Sequence, residues 1–422
     1  MSVVSELVKN VELPKMVKIR QRFSREKIED IPAEVRGQLS RPEIEGNIRP
    51  GMSIAVTSGS RGIANIALIT REIVSFVKSK GAHPFIIPAM GSHGGATAEG
   101  QSMILRDYGI TEETMGCPLR ATMQTVHIGY TDEGHTVLID RYAAEADAII
   151  AVGRIKPHTG YRGPYESGIM KMLAIGISKQ EGAEVCHESG FKNMHRMVPL
   201  FGSAILKHSN VIFGVGIVEN AYEDTCKIVS MTPQEIIDKE PVLLDEAKAM
   251  MPQIMIPETD VLVVDEIGKN YSGDGMDPNI TGTFCTPYAT GGMKSQHVVV
   301  LDLSKETHGN AIGLGLADAT TRRAYEKMDF EKTYPNSITS TVLSGSRIPM
   351  VMASDKEAIA VAIKACNEID KSNVRLVRIN NSLHVDEIYI SVAHLDEAKL
   401  HPDIEVISGP EPWPFDENGN LW

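Results

Sequence analysis

Lys171 and His187 are the two residues of this sequence whose types and spacing point most directly to chemistry. They lie sixteen positions apart in the segment GPYESGIMKMLAIGISKQEGAEVCHESG. A lysine amine can bond covalently to a cofactor or substrate, and a neutral imidazole is the commonest protein ligand of transition metals. Two further histidines, His93 and His158, lie in earlier segments rich in Gly or Pro. Together the four side chains indicate a metal-assisted site with two acid/base groups.

Taken singly, these residues also have ordinary structural interpretations. Lys171 stands among apolar residues, where burial favours a nucleophilic neutral amine, but a helix lysine that reaches solvent fits as well. Cys186, beside His187, is more simply a small buried hydrophobe than a ligand. Because no HExxH or HxH spacing occurs, a metal would need donors from distant segments or from a cofactor.

Two loops, each between a predicted strand and a following helical segment, offer groups for binding an anion. In SGSRG, the hydroxyls of Ser58 and Ser60 and the guanidinium of Arg61 suit a phosphate or carboxylate at a helix N-terminus. In GSHGGAT, Gly94 and Gly95 permit a ligand to approach the backbone closely. A tight turn without a ligand is the simpler alternative for both loops.

The elements around these loops predict an α/β fold with largely parallel sheets. Short apolar runs alternate with segments that have helical periodicity, so each loop lies at the carboxyl end of a strand, where ligands of such sheets bind. The predicted strands are 52–57, 83–89, 148–152, 211–215, 261–264, 297–303, 350–353 and 387–392. The predicted helices are 63–80, 231–251 and 356–370.

A chain of 422 residues predicts two domains. A proline-bracketed change of pattern places them at 1–255 and 256–400, with the active site in the cleft between them and the second domain closing over it. For the tail, 400–422, the sequence is equally compatible with packing on the first domain and with no such packing. In the second domain, Lys269 and Lys294 are candidates for binding an anionic substrate.

Composition excludes several classes of partner. The net charge of −13 argues against nucleic acid and anionic membranes, which are polyanions. No apolar run approaches the roughly 20 residues of a membrane span. Five scattered cysteines without a CxxC pair fit a reducing compartment, and we expect the cytoplasm. The sequence does not determine the oligomeric state and is compatible with a homo-oligomer.

The ordered set of Arg61, GSH at 91–93, His158, Lys171 and His187 resembles the nickel-dependent lactate racemase family of 2-hydroxy-acid racemases and epimerases. The resemblance extends over essentially the whole chain. It implies a nickel-pincer nucleotide, a pyridinium mononucleotide with a thioamide and a thiocarboxylate, attached through Lys171. It also implies cofactor-synthesis enzymes as partners. Two sulfurs and a ring carbon of the cofactor would hold Ni(II), with His187 as the fourth ligand.

The resemblance also implies a role for each remaining residue. His93 and His158 would exchange the hydroxyl proton on opposite faces of the substrate while the C2 hydride moves to the cofactor and back. Arg61 would bind the substrate carboxylate. Ser58, Ser60, Gly94 and Gly95 would lie near the nucleotide phosphate.

Two departures from the family pattern border the implied substrate pocket. Ser58 stands where the family commonly has Asp, and the interval from His158 to Lys171 is longer, through YRGPYESG. The substrate is therefore either lactate-like or a larger sugar acid, an aldonate such as gluconate.

Two other functions remain open from the residues. Lys171 could form a Schiff base with a 2-oxo acid, as lyases and aldolases do. Alternatively, the chain could be a non-catalytic binding protein for a sugar acid or nucleotide, with histidines that only orient the ligand.

Overall fold

A computed structural model describes residues 2–60 and 62–422 of the chain. The chain divides into two compact units. We call Ser24–Met251 the N-terminal domain, and Met1–Phe23 together with Pro252–Trp422 the C-terminal domain. Within the described residues, no helix is both long and apolar enough to cross a membrane.

Helices and strands are numbered along the chain, which begins with α1 (Val3–Val8) and β1 (Met16–Gln21) of the C-terminal domain. The strands of the N-terminal domain are β2 (Ser53–Ser58), β3 (His83–Pro88), β4 (Thr125–Tyr130), β5 (Thr136–Asp140), β6 (Ala148–Arg154), β7 (Val211–Glu219) and β8 (Thr225–Met231). Its helices are α2 (Ile31–Leu39), α3 (Pro42–Glu45), α4 (Ile66–Ser79), α5 (Ala98–Asp107), α6 (Glu112–Met115), α7 (Arg141–Glu145), α8 (Ile169–Lys171), α9 (Lys179–His187), α10 (Met194–His208) and α11 (Pro233–Met250).

A five-stranded sheet in the order β3-β2-β6-β7-β8 forms the centre of the N-terminal domain. Only β8 is antiparallel to its neighbour. Residues 54–58 of β2 are all buried, because helices cover both faces of a parallel sheet. Side chains such as Ile54 and Val56 join a core with α2 and α4, whereas Ala55 joins the core on the opposite face, with α10 and α11.

The chain reverses its direction of travel across this sheet next to β2. From β2 it passes through α4 to β3 on one side, and β6 then pairs with β2 on the other side. Loops that leave neighbouring parallel strands at such a reversal separate and leave a crevice at the carboxyl ends of the strands. The loops that follow β2, β3 and β6 are the ones in which the sequence placed its candidate groups.

The C-terminal domain contains an eight-stranded sheet in the order β12-β11-β10-β9-β13-β14-β1-β15. Its further strands are β9 (Glu258–Ile267), β10 (Lys294–Leu303), β11 (Ala319–Thr321), β12 (Met350–Met352), β13 (Leu376–Ile379), β14 (Glu387–Ser391) and β15 (Ile404–Val406). Its further helices are α12 (Pro278–Thr281), α13 (Arg322–Glu326), α14 (Phe330–Ser340), α15 (Asp355–Ala365) and α16 (Leu395–Leu400). The five strands from β12 to β13 are parallel, which confirms two α/β units with largely parallel sheets.

The structure corrects the predicted domain boundary at the start of the chain. Strand β1 pairs with β14 and β15, so the first 23 residues belong to the C-terminal domain and not to the first domain. The tail likewise packs on the C-terminal domain. The Trp413 indole Nε1 donates to the carbonyl of Pro14 at 2.9 Å, and the amide of Leu421 donates to Asp355 at 2.8 Å. Pairing and packing between distant segments place both ends of the chain in the C-terminal domain. No local sequence pattern predicts such contacts.

We expect the tail to contribute to the stability of the C-terminal domain through Trp413. Its ring stacks on Phe415 at 5.5 Å and lies 5.5 Å from the guanidinium of Arg378. Trp413→Ala should lower the free energy of unfolding by about 3 kcal/mol, since it removes this packing and one hydrogen bond. Trp422→Ala is the matched control: Trp422 is half exposed and faces Arg323, so its loss should cost under about 1 kcal/mol. Urea unfolding followed by circular dichroism measures both, and equal costs would contradict the assignment.

Candidate active site

Lys171 and His187 lie on one continuous helical segment with an irregular centre. Lys171 ends α8, residues Met172–Ile177 form a π-helix, and α9 ends at His187. A π-helix widens the turn and is rare outside functional sites. Gly176 lets this wide turn touch strand β3, because a Cβ there would lie 2.6 Å from the carbonyl oxygen of Ala89. The segment is therefore fitted closely to the end of the sheet.

The hydrogen bond of His187 determines which of its nitrogens is available. Its Nδ1 lies 2.7 Å from the carbonyl oxygen of Ala183, which can only accept, so Nδ1 carries the hydrogen. In the neutral ring Nε2 then holds a lone pair, as histidine ligands of metals do. Burial lowers the pKa of His187 and favours the neutral form. Burial also raises the pKa of the Cys186 thiol to about 12, so Cys186 acts as a small core residue.

The loop after β3 places His93 against the loop after β2. Ser60 Oγ is hydrogen bonded to His93 Nδ1, and the Tyr108 hydroxyl donates to the carbonyl of Ser60 at 2.8 Å. Gly94 and Gly95 both have positive φ, +69° and +65°. A Cβ at Gly94 would lie 2.6 Å from a backbone nitrogen of α5, whereas one at Gly95 would meet nothing within 4 Å. Gly94 therefore allows close packing, and Gly95 leaves backbone open to a ligand.

Two loops and one strand end contact the π-helix that follows Lys171. The Gly91 amide donates to the carbonyl of Gly176 at 3.1 Å. The Cε of Met172 would lie 3.0 Å from a Cβ at Gly59 and 3.6 Å from one at Gly153. The loop after β2 and the end of β6 therefore meet at Met172, and the loop after β3 contacts the π-helix four residues later.

The segment that carries His158 is held by the buried carboxylate of Glu166. One oxygen of Glu166 accepts the His158 amide at 2.7 Å and the Arg162 guanidinium at 3.1 Å, and the other lies 3.1 Å from Lys248 Nζ. The imidazole of His158 stacks at 4.4 Å on the ring of Tyr161, which is fully buried. The predicted insertion YRGPYESG is therefore an ordered platform for His158.

His158 and His187 are brought together around one aromatic ring. The ring of Phe191 lies 6.3 Å from that of His158 and 6.2 Å from that of His187. His158 Nδ1 accepts the amide of Gly160 at 3.0 Å, so the neutral imidazole carries its proton on Nε2. The two imidazoles thus adopt opposite tautomers.

Ser58 is buried at the end of β2, and its Oγ finds no hydrogen-bond partner among the described residues. A buried hydroxyl without a partner is unfavourable and indicates a place for a ligand group. Arg61, which the sequence assigned to the substrate carboxylate, lies outside the described residues.

Lys269 and Lys294 do not form a common site. Lys269 follows the carboxyl end of β9, where its Nζ donates to the carbonyl of Gly273 at 2.8 Å. Lys294 begins β10 and stands opposite Glu258, the first residue of parallel β9. The two lysines therefore lie at opposite ends of neighbouring strands, about 30 Å apart at the rise of a ten-residue strand. They do not contact one anion together, because parallel pairing fixes them at different strand ends.

Glu240 on α11 is a buried carboxylate that caps the helix of Lys171. Its oxygens accept the Met170 amide at 3.0 and 3.3 Å. A Cβ at Gly168 would lie 2.1 Å from its Oε1, so only glycine admits this contact. Burial raises the pKa of Glu240 to about 8, against the lowering effect of the amides of Met170 and Ile169. Sequence reasoning missed Glu240, because helix α11 begins more than sixty residues after Lys171.

Sequence reasoning also missed Gln101, Lys179, Asp140 and Glu166, which support the loops from behind. Gln101 carried a weak signal, since it shares the buried stripe of α5 with Leu105, four residues later. For Lys179, the helical pattern of the sequence gave no signal of burial.

Comparison with known proteins finds a family model that matches part of this arrangement. Residues 12–197, which include the loops of His93 and His158 together with Lys171 and His187, match the family model described as the lactate racemase N-terminal domain. This part of the chain is therefore similar to lactate racemase N-terminal domains, in agreement with the resemblance found in the sequence.

The fold of most of the chain is also similar to that of a solved structure. The chain is similar to the lactate racemase apoprotein from Thermoanaerobacterium thermosaccharolyticum, with a TM-score of 0.53 and 12% identity over 87% of this chain and 98% of that one. At this identity the likeness concerns the fold alone. No curated protein matches the sequence.

We expect Glu240 to make the stability of the N-terminal domain depend on pH. A glutamate with its ordinary pKa of 4.5 in the unfolded chain and about 8 in the folded one stabilises the domain below pH 4.5, and this contribution is lost as the pH rises to about 8. The loss should approach about 1.4 kcal/mol per pH unit. Glu240→Gln should flatten this dependence in urea unfolding between pH 5 and 8. Asp245→Asn, on the exposed side of the same helix, is the control, and an equal effect of both would contradict the role of Glu240.

Proposed function

We propose that the chain is a nickel-dependent racemase or epimerase that inverts C2 of a 2-hydroxy acid. The observation that carries this proposal is the tautomer of His187, which leaves a lone pair on Nε2 of a half-buried ring on the segment of Lys171. The loops of His93 and His158 contact or border the same segment. The lactate racemase N-terminal domain match supports the reaction class.

The residues fit the nickel-pincer nucleotide that the family resemblance implies. Lys171 would supply the covalent amine and His187 the one protein ligand of the metal. Among the described residues, no group of three or more His, Cys, Asp and Glu could hold a metal ion, so the remaining donors would have to come from the cofactor. The open backbone at Gly95 and the partnerless hydroxyl of Ser58 would suit its phosphate, with Ser60 and Gly94 in the same two loops.

When bound, the cofactor would supply an acceptor for the C2 hydride. The residues would manage the proton of the C2 hydroxyl, which must leave from one face and return on the other. A neutral imidazole would accept this proton as a base, and the resulting imidazolium or its counterpart on the other face would return a proton as an acid. His158 would exchange the proton at Nε2, because its Nδ1 accepts the amide of Gly160, and His93, in contact with Ser60, would do so on the opposite face.

The segment 161–168 would set the size of the substrate pocket. Tyr165 donates to the carbonyl of Ile237 at 2.7 Å, a carbonyl that Pro241 leaves without a helical donor. Arg162 donates to the carbonyl of His158 at 2.6 Å. We propose that this ordered insertion admits a sugar acid such as gluconate as well as a lactate-like acid, and that Arg61 binds its carboxylate. Lys269, at the carboxyl end of its own sheet, remains a candidate for substrate binding, whereas Lys294 does not.

We place the enzyme in the cytoplasm, where its cofactor-synthesis enzymes would act as partners. All five cysteines are free, which suits a reducing compartment.

Loading with the cofactor tests this proposal without any assay of activity. Protein expressed with the cofactor-synthesis enzymes should show a nucleotide-sized mass increase, which Lys171→Ala abolishes because the attachment point is gone. His187→Ala should keep the added mass but lose nickel, measured by metal analysis. The controls are Lys192→Ala and His195→Ala, both exposed and close to the site. An unmodified mass in active protein would overturn the proposal, and borohydride trapping of a 2-oxo acid on Lys171 would favour a Schiff-base enzyme.

Inversion at C2 should appear in a screen of 2-hydroxy acids from lactate to gluconate with loaded protein. His93→Gln and His158→Gln should each lower kcat at least about 100-fold, because either change removes one of the two proton carriers. His127→Gln, on an exposed position of β4, is the control. Tight binding of a sugar acid with no inversion in the parent protein would instead favour a binding protein.

A further inference from the structure

Lys179 is a fully buried lysine in a backbone conformation that is unusual for its type. It begins α9 with φ +57°, in the left-handed region that non-glycine residues rarely adopt. Such local strain persists only where the surrounding structure enforces it, and it concentrates at functional sites. The residue stands midway between Lys171 and His187, directly after the π-helix.

The ammonium of Lys179 has three neighbours, which match its three hydrogens. Its Nζ donates to the carbonyl oxygen of Pro88, the last residue of β3, and lies 3.1 Å from Gln101 Oε1 and 2.9 Å from Asp140 Oδ2. Burial lowers the pKa of Lys179 and raises that of Asp140, and their attraction opposes both shifts. The other oxygen of Asp140 caps α7, which fixes the pair in the fold.

Gln101 connects the buried pair of Lys179 and Asp140 to the loop of His93. Its side chain is fully buried, and its Nε2 donates to the carbonyls of Gly91 at 2.8 Å and of His93 at 3.2 Å. Its Oε1 accepts from Lys179, so one amide joins the Lys171–His187 segment to the backbone on both sides of Ser92.

We propose that Lys179 and Gln101 are positioning residues that set His93 relative to the segment of Lys171 and His187. The catalytic part of this inference rests on the proposed function. Neither side chain touches the reacting groups: Lys179 fixes Gln101, and Gln101 fixes the two carbonyls that bracket the turn. The left-handed backbone of Lys179 directs its ammonium inward, to the carbonyl of Pro88 at the end of β3.

Gln101→Glu separates the two roles of the side-chain amide, which accepts from Lys179 and donates to the loop carbonyls. The glutamate keeps the size of the side chain and a partner for Lys179, but it has no hydrogens to donate to the carbonyls of the loop. Gln101→Leu removes the hydrogen bonds of both roles. Gln38→Leu is the matched control, because the Gln38 side chain also bonds to backbone, accepting the amide of Ser230, but lies on α2.

Hydrogen–deuterium exchange of unloaded protein measures the loop without any catalysis. In Gln101→Glu and Gln101→Leu, exchange in peptides covering residues 90–97 should rise at least tenfold, while the strands of the sheet stay protected. In loaded protein both variants should lower kcat at least tenfold, with KM within threefold and the mass adduct and nickel content unchanged.

A double variant tests Lys179 without leaving a buried charge unpaired. Asp140→Asn with Lys179→Met keeps an oxygen to cap α7 and should reproduce the exchange and kcat changes of Gln101→Leu. Unchanged loop exchange in folded Gln101→Glu and Gln101→Leu would overturn the positioning role. If loop exchange is faster in the variants but the parent protein inverts no 2-hydroxy acid, the positioning role is retained and only the proposed function is rejected.

Discussion

The active-site arrangement depends on the close fit between one helical segment and the carboxyl ends of three parallel strands. The segment runs from Ile169 to His187, and its π-helix meets the sheet where β2, β3 and β6 end. Parallel pairing brings these strand ends to one edge, and the reversal next to β2 opens a crevice there. Because Gly91 and Gly176 lack side chains, the π-helix and the loop after β3 approach each other closely, and Gly59 leaves room for the side chain of Met172.

Buried ionisable side chains support the loops of the candidate site from behind. Glu240 caps the helix of Lys171, Glu166 binds the amide of His158, and the ion pair of Lys179 with Asp140 supports Gln101. A charge taken out of water is costly unless hydrogen bonds satisfy it, so each of these groups binds tightly to backbone amides or carbonyls. The same requirement makes the loops rigid. Burial that costs stability, as at Glu240, thereby fixes the geometry of the candidate site.

Much of the fold was predictable because apolar periodicity records burial. The predicted strand at 148–152 is part of β6, and the helix at 63–80 contains α4, since both bury continuous apolar faces. Strand β13 was missed because only four residues form it, with little flanking pattern. The pairing of β1 with β14 was missed for another reason: it joins residues more than 350 positions apart, and no local pattern reports such a contact.

The sequence alone determined the reacting groups of the candidate site: the lysine and histidine of one segment, two further histidines and two glycine-rich loops. These are properties of residue type and spacing, and they were sufficient to suggest the family. Only the tertiary structure decided how the groups are presented. The tautomers of His187 and His158 follow from a carbonyl and an amide that folding brings to their rings. The separation of Lys269 from Lys294 follows from parallel strand pairing, and the contact between Lys179 and Gln101 follows from the burial of both side chains. Hydrogen-bond partners and distances are created when remote segments pack, and for that reason no pattern along the chain could contain them.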